Sequence, residues 1–217
     1  MISEQTLGQL EGLTFTRRPL VICDVDEVIV HFTRDFEHYI AAEDLWLDAA
    51  SFALSGNIKC RRTNEAAPDH RVADLVNRFF DERTRHMQPI DGAVDSLLTF
   101  ARTADVVLLT NLPHSAGDCR RANLAGHGLD FPVVTNSGPK GPAIREIVAR
   151  AGKPDCVFID DSPGFIASAY EHAPDIHLVH FLHDERFARH IAPLDFVSLR
   201  AASWAETRPH VLPLIGG

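Results

Sequence analysis

Leu20-Val21-Ile22-Cys23-Asp24-Val25-Asp26-Glu27-Val28 is the stretch whose reading decides the fold. Four apolar residues from Leu20 to Cys23, bounded by Pro19 and by acids, read as a strand buried on both faces, as strands of parallel sheets are. Side chains alternate along a strand, so Asp24 and Asp26 share a face only while the chain stays extended. The strand is expected to end at Asp24, where the loop turns. Ligands in open α/β sheets bind at the carboxyl ends of strands, and the two acids fall there. An isolated D-x-D is short and common; its meaning depends on what the chain places at its other strand ends.

Three later features answer that. Val106-Val107-Leu108-Leu109-Thr110-Asn111 is an apolar run ending in a hydroxyl, Lys140 stands just before a helical pattern, and Cys156-Val157-Phe158-Ile159-Asp160-Asp161-Ser162 is an apolar run ending in paired acids. From Ala93 onward helix and strand patterns alternate. Val94, Leu97, Leu98 and Ala101 share one helical face, and a further helix is expected over 115–125. Strands are expected over 131–135 and 176–182. Pro142 opens a helix that Gly152 stops, and Ser162 with Pro163 has the pattern of a cap and first turn. Such alternation implies a mostly parallel sheet with right-handed crossovers and helices on both faces.

The stretch between the first two strands differs. Phe32, Phe36, Tyr39 and Ile40 recur at near-helical spacing with Thr33 placed to cap, and Val72, Leu75, Val76, Phe79 and Phe80 mark a helix from near Asp69 to near His86. Between them Ser55-Gly56-Asn57 reads as a turn joining strands at 51–54 and 58–61 in a small hairpin. Pro89-Ile90-Asp91-Gly92 closes the block. The 217 residues suit one α/β domain carrying such an insertion. A net charge of -9 argues against a generally basic nucleic-acid surface. Cys23, Cys60, Cys119 and Cys156 lack C-x-x-C spacing, and the expectation is reduced thiols in a cytoplasmic protein. Neither a signal peptide nor an apolar run long enough for a bilayer is read, so no membrane association is expected.

Acid, hydroxyl, cation and acid, taken in that order, resemble the four motifs of the haloacid dehalogenase-like (HAD) superfamily over most of the chain outside 32–88. The resemblance implies an α/β fold: a HAD-like Rossmannoid core (1–31 and 89–217) with a mostly parallel sheet, and a small inserted cap (32–88), helical with a hairpin. It implies Asp24 as nucleophile, forming an aspartyl-phosphate, and Asp26 as general acid and then base. Thr110, the backbone N-H of Asn111 and Lys140 would contact the phosphoryl group, Lys140 countering its charge. Asp160 and Asp161 suit a hard cation with oxygen ligands, pointing to Mg2+, and in the family the nucleophilic Asp24 and the backbone of Asp26 join them. A glycine commonly follows the second acid in the family; here it is Glu27.

The expected activity is magnesium-dependent hydrolysis of a small phosphorylated metabolite. The acid at position 26 favours phosphoryl transfer over carbon-halogen cleavage, which needs no proton donor for an alkoxide. Two alternatives stand beside it: a phosphotransferase or mutase of the same family, and a catalytically weak or inactive phosphate- or metal-binding regulatory protein. His177, His180 and His183 recur every third residue and so do not converge on one strand face. Lys59, Arg61 and Arg62 are candidates to reach a substrate anion from the cap, and Trp46 and Phe52 to line a pocket. Substrate identity and oligomeric state are silent.

Overall fold

The computed structural model describes residues 2–216; the outermost positions of the expected core, 1 and 217, lie outside the described residues. The chain enters through α1 (Glu4–Glu11), capped by Ser3, whose hydroxyl accepts from the Thr6 amide at 3.1 Å. It then forms β1 (Leu20–Cys23), in which all four side chains are buried. α2 (Phe32–Ala41), β2 (Leu45–Leu47), β3 (Ile58–Cys60) and α3 (Asp69–Arg83) follow. α4 (Ala93–Phe100), β4 (Asp105–Thr110), α5 (Gly117–Gly126) and β5 (Val133–Thr135) resume the alternation. The chain continues through α6 (Gly141–Arg150), β6 (Cys156–Asp160), α7 (Pro163–His172) and β7 (His177–Phe181), and ends with α8 (Glu185–Ala188), β8 (Leu199–Ala201) and α9 (Trp204–Leu214).

Six strands form one parallel sheet in the order β5-β4-β1-β6-β7-β8. Residues alternate between its two faces, so each strand feeds two cores. Leu20, Ile22, Val107, Leu109 and Phe158 pack with α1, α6 and α7 on one face; Val21, Cys23, Leu108, Val157 and Ile159 belong to the core shared with α4, α5, α9 and the insertion. The chain leaves β1 for β4 on one side and later enters β6 on the other, which makes the carboxyl end of β1 the switch point where such sheets open a crevice.

The insertion has its own small sheet, β2 paired antiparallel with β3. The hairpin expected there exists, but its first strand is 45–47 rather than 51–54. Leu45 and Leu47 point inward and are buried, whereas Ser51 to Leu54 form a loop with Phe52 37% exposed. That loop is tied by Asn57, whose amide donates to the Ser51 and Ala53 carbonyls at 3.1 and 2.9 Å. Two strands alone are marginal in water. Here they lean on α2 and on an aromatic cluster in which Phe79 meets Phe36 edge-on at 5.3 Å and Phe32 at 5.5 Å. The two linkers to the sheet domain run side by side: His31 N-H donates to Gln88 O at 3.0 Å and Ile90 N-H to Ile29 O at 2.7 Å.

Two capping expectations need correction. Thr33 does not cap α2, which begins at Phe32; the Thr33 amide instead takes the Glu27 carboxylate at 2.6 Å. Ser162 stands at the N-cap of α7 without a side-chain capping bond, because its own amide is turned back to Asp160 Oδ1 at 2.8 Å. Beyond the expected elements lie α1, α8, β8 and α9. Trp204 of α9 is buried, its indole N-H donating to Val28 O at 2.9 Å behind the loop that carries the two acids.

α6 lies against α7 at Gly141, where a side chain cannot fit. A Cβ at Gly141 would come within 2.0 Å of the Ser168 carbonyl oxygen and 2.7 Å of the His172 ring. Gly141→Ala is therefore expected to destabilise the protein by about 2 kcal/mol or more, as overpacking against backbone does. Urea denaturation of the variant measures it; unchanged stability would contradict this packing.

Candidate active site

Cys23 on β1 stands opposite Leu108 of β4 and Ile159 of β6, so Asp24 and Asp160 leave the sheet at one height, with Thr110 a residue further along. Into this row comes Lys140 from the start of α6. Its ammonium lies 2.6 Å from Asp24 Oδ1 and 2.7 Å from Asp160 Oδ2, and the side chain is fully buried. An ammonium out of water is tolerated only with such partners. Burial acts to lower its pKa, but the charges of Asp160 and Asp24 and their hydrogen bonds outweigh burial and hold it above the ordinary lysine value.

The carboxylates feel the opposite pull. Burial pushes Asp24 up to about 7 against the attraction of Lys140, with Asp160 and Asp26 adding to the rise. Burial likewise raises Asp160 against Lys140. Asp161 is held well above its usual range by burial and by the charges of Asp160, Asp24 and Glu27. Its backbone is fixed by the buried His180, whose Nε2-H donates to Asp161 O at 3.0 Å.

Asp26 faces a different group of donors. Thr110 Oγ1 donates to its Oδ2 at 3.2 Å, and Arg120 Nη2 donates to its Oδ1. Arg120 is fully buried on α5, and its other terminal nitrogen donates to Asn123 Oδ1 at 3.2 Å. Asn123 in turn donates to Met87 O at 2.8 Å, at the end of the insertion. The sequence reading missed Arg120. In the Arg120-Arg121 pair nothing local says which one turns inward; Arg121 lies at the surface on Asp118 at 2.6 Å.

Of the residues expected at the site, Asp24, Asp160, Asp161 and Lys140 form one cluster, and Asp26 with Thr110 stands beside it. Asn111 lies at the cavity wall, but its side chain braces the neighbouring loop, donating to Gly138 O at 2.8 Å and accepting from Asn136 Nδ2 at 2.9 Å. Carboxylate oxygens of Asp24, Asp160 and Asp161 lie within 4.8 Å of one another. These are hard oxygen donors of the kind that hold a divalent cation. With all four carboxylates ionised, counting Asp26, they exceed the two cations, Lys140 and Arg120, by two negative charges, which a divalent ion would neutralise; without one, burial and mutual repulsion push Asp24 and Asp161 towards their protonated forms. A second convergence lies at the rim, where Glu27, His31 and His183 bring ligand atoms within 4.8 Å. His177, His180 and His183 themselves do not converge: His180 is buried behind Asp161, His177 is exposed and His183 faces His31.

Over the row opens a cavity of ≈ 390 Å³, bounded below by Asp24, Asp26, Asp161 and Ser162 and above by Phe32, Thr33, Phe52, Leu54 and Phe80 of the insertion. The insertion is thus a cap over the strand ends.

No family model and no curated protein matches the chain. Solved structures do. The HAD-hydrolase YfnB of Bacillus subtilis, bound to magnesium, aligns over 91% of this chain and 99% of its own with a TM-score of 0.61 at 14% identity. A haloacid dehalogenase-like hydrolase from Streptococcus pneumoniae aligns over 91% and 100%, TM-score 0.58, also at 14% identity. The chain has the haloacid dehalogenase-like fold. CbbY of Rhodobacter sphaeroides, in complex with xylulose 1,5-bisphosphate, shares this HAD-like fold over 87% of the chain and 96% of its own at 15% identity, TM-score 0.55.

Glu27, where HAD-like proteins commonly have glycine, adopts a left-handed backbone, φ 61°. That conformation costs an L-residue about 1–2 kcal/mol. The carboxylate recovers part of it by accepting from the Thr33 amide at the start of α2, so the loop of the two acids is bonded directly to the cap. Glu27→Gly relieves strain and loses this bond. Global stability is expected to change by less than about 1 kcal/mol, while amide exchange at Thr33 accelerates; exchange that stays slow would show that the carboxylate does not hold the helix.

The raised carboxylates also set a pH response. Asp24, ordinarily near 3.8 and here about 7, favours the folded state most at low pH, and that contribution is lost as pH rises from 3.8 towards 7. A divalent cation bound by the same groups as anions offsets the loss. The thermal midpoint gained on adding magnesium is expected to be larger at about pH 7.5 than at about pH 5, and to shrink in Asp24→Asn. Equal gains at both pH values would contradict the arrangement.

Proposed function

We propose that the protein is a magnesium-dependent phosphatase of small phosphomonoesters working through an aspartyl-phosphate. One observation carries the reading. Asp24 stands at the end of the central strand with one carboxylate oxygen fixed by Lys140 at 2.6 Å, at the floor of a cavity it shares with Asp26 two residues on. A nucleophile and a proton carrier are thereby fixed on one short loop below the space a substrate would occupy.

In this reading Asp24 attacks phosphorus in line, and the bond to the leaving oxygen breaks as Asp26 delivers a proton to it. Water then attacks the aspartyl-phosphate with Asp26 as base, releasing phosphate and restoring both carboxyl groups. Lys140 orients Asp24 and counters the charge that gathers on the phosphoryl oxygens. Asp24, Asp160 and Asp161, with the backbone of Asp26, would hold magnesium, which supplies charge neutralisation between two anionic reactants. Thr110 steadies Asp26. The cap excludes water from the first step when it is closed.

The Arg120 contact favours keeping a second reading in view. Both Asp26 oxygens already accept hydrogen bonds, one from Arg120 and one from Thr110, so neither stands unengaged beneath the leaving oxygen. A protein so arranged transfers phosphate readily only from good leaving groups, and a weakly active, phosphate-binding role follows from the same geometry.

Phosphate release from a panel of phosphomonoesters separates the two. Magnesium-dependent turnover is expected in the wild type, falling to background in Asp24→Asn. In Asp26→Asn turnover should fall by about 10²–10⁴-fold for alkyl esters and by less for aryl esters, whose leaving group needs little protonation. Turnover that survives in Asp24→Asn would remove the nucleophile assignment.

A further inference from the structure

Outside its floor, the polar lining of the cavity over the strand ends is confined to Glu27, Thr33, Asn111, His183 and Asp184. Its upper wall carries Phe52, Leu54, Phe80 and Phe187, and among the described residues no lysine or arginine lines it. Its charged lining outside the floor is acidic, Glu27 and Asp184. Cap cations that could have served a second anion point elsewhere and are already engaged. Lys59 is paired with Asp48 at 2.6 Å, Arg62 with Asp44 at 3.1 Å, and Arg61 donates to Leu45 O at 3.2 Å. Arg186, at the start of α8, is held by Glu37 and Asp184 at 2.8 and 2.7 Å.

Two facts give the apolar wall a ligand rather than a structural role. Phe52 is 37% exposed, one of the few large apolar side chains left open, and it stands edge-on to Phe187 with ring centroids 6.0 Å apart. The cap meanwhile has its own aromatic core in Phe36, Phe79 and Phe80, all buried, so the exposed Phe52 is not needed to fill it. Apolar surface facing a void above reactive carboxylates gains most by contact with an apolar ligand.

We infer that the cavity selects a phosphate monoester of an apolar alcohol, aryl or medium-length alkyl, and rejects sugar phosphates and substrates with a second anionic group. This rests on the phosphatase reading for the phosphate end and on the wall alone for the alcohol end. A polyhydroxylated alcohol would lose water without finding partners on Phe52, Leu54, Phe80 and Phe187. A second phosphate or carboxylate would lie near Glu27 and Asp184, with no lysine or arginine among the described lining residues and with Arg186 already paired to Glu37 and Asp184. A benzyl or hexyl group instead covers Phe52 and adds an edge or face contact to the Phe52–Phe187 pair.

Two measurements on the full-length protein with magnesium keep the parts separable. In the first, kcat/KM is compared for benzyl phosphate, hexyl phosphate, glucose 6-phosphate and fructose 1,6-bisphosphate; the apolar esters are expected to lead by about 10²-fold or more. In the second, calorimetry compares two non-hydrolysable ligands, benzylphosphonate and phosphonoacetate, and the first is expected to bind at least about 10-fold more tightly. Phe52→Arg, which changes an exposed side chain and places a cation in the wall, should narrow both ratios, while Arg61→Ala should leave them as they are. Phosphate release with sugar phosphates preferred, or phosphonoacetate bound as tightly as benzylphosphonate, overturns the inference and leaves the phosphatase standing. Tight benzylphosphonate binding with no release from any ester sustains the cavity's preference and sinks the phosphatase.

Discussion

A single buried ammonium holds the centre of this molecule. Lys140 has no contact with solvent, and its place depends on the carboxylates of Asp24 and Asp160 on adjacent strands. Removing one member of such a buried pair costs about 3–5 kcal/mol, because the remaining charge is stranded. The parallel register of β1 and β6 brings the two acids to one height, and the close approach of Gly141 to Ser168 lets α6 deliver the lysine there. Without its carboxylates Lys140 could not be buried, and without the lysine three neighbouring acids would repel one another. The candidate site and the packing of α6 on α7 are therefore one construction.

Much of this was legible in the order of residues because it is local. β1, β4 and β6 are continuous apolar runs, buried on both faces as the runs imply, and their last residues necessarily come out at the same end of a parallel sheet. Lys140 was marked by the helix that follows it. What was not legible depends on long-range contact. Arg120 and Arg121 look alike until α5 is laid against the sheet. Ser55-Gly56-Asn57 has the composition of a turn and so points to a first hairpin strand at 51–54, yet the chain uses Asn57 to tie a loop and pairs Leu45–Leu47 with β3 instead. α1 and α9 lack a strong apolar stripe, and each is recruited by a few contacts: Thr6 on Thr135 O, Trp204 on Val28 O. His183, unrelated to His177 and His180 by strand geometry, found its neighbours in His31 and Glu27 from distant parts of the chain.

The cap illustrates how a short element serves two masters. Phe79 and Phe80 are consecutive, so on a helix they point about a quarter-turn apart. Phe79 is fully buried in the cap's aromatic cluster, while Phe80 lines the cavity. The same holds on α2, where Phe36 packs inward and Phe32 and Thr33 face the void. Forces that stabilise the cap are therefore only one helical face away from those that would choose a substrate. Glu27 adds a third connection, tying the start of α2 to the loop of the two acids.

The side-by-side linkers at 29–31 and 88–90 carry a consequence of another kind. Their backbones are already hydrogen-bonded partners, so the cap leaves and rejoins the sheet domain at nearly the same point. A segment inserted between touching ends demands almost no stretch from its host, and its length is weakly constrained, since closure entropy grows only with the logarithm of loop length. The sheet domain is in this sense a socket. Its chemistry sits on strand ends that do not change when the insert does, and the specificity above them can be exchanged as a cassette across a two-bond seam.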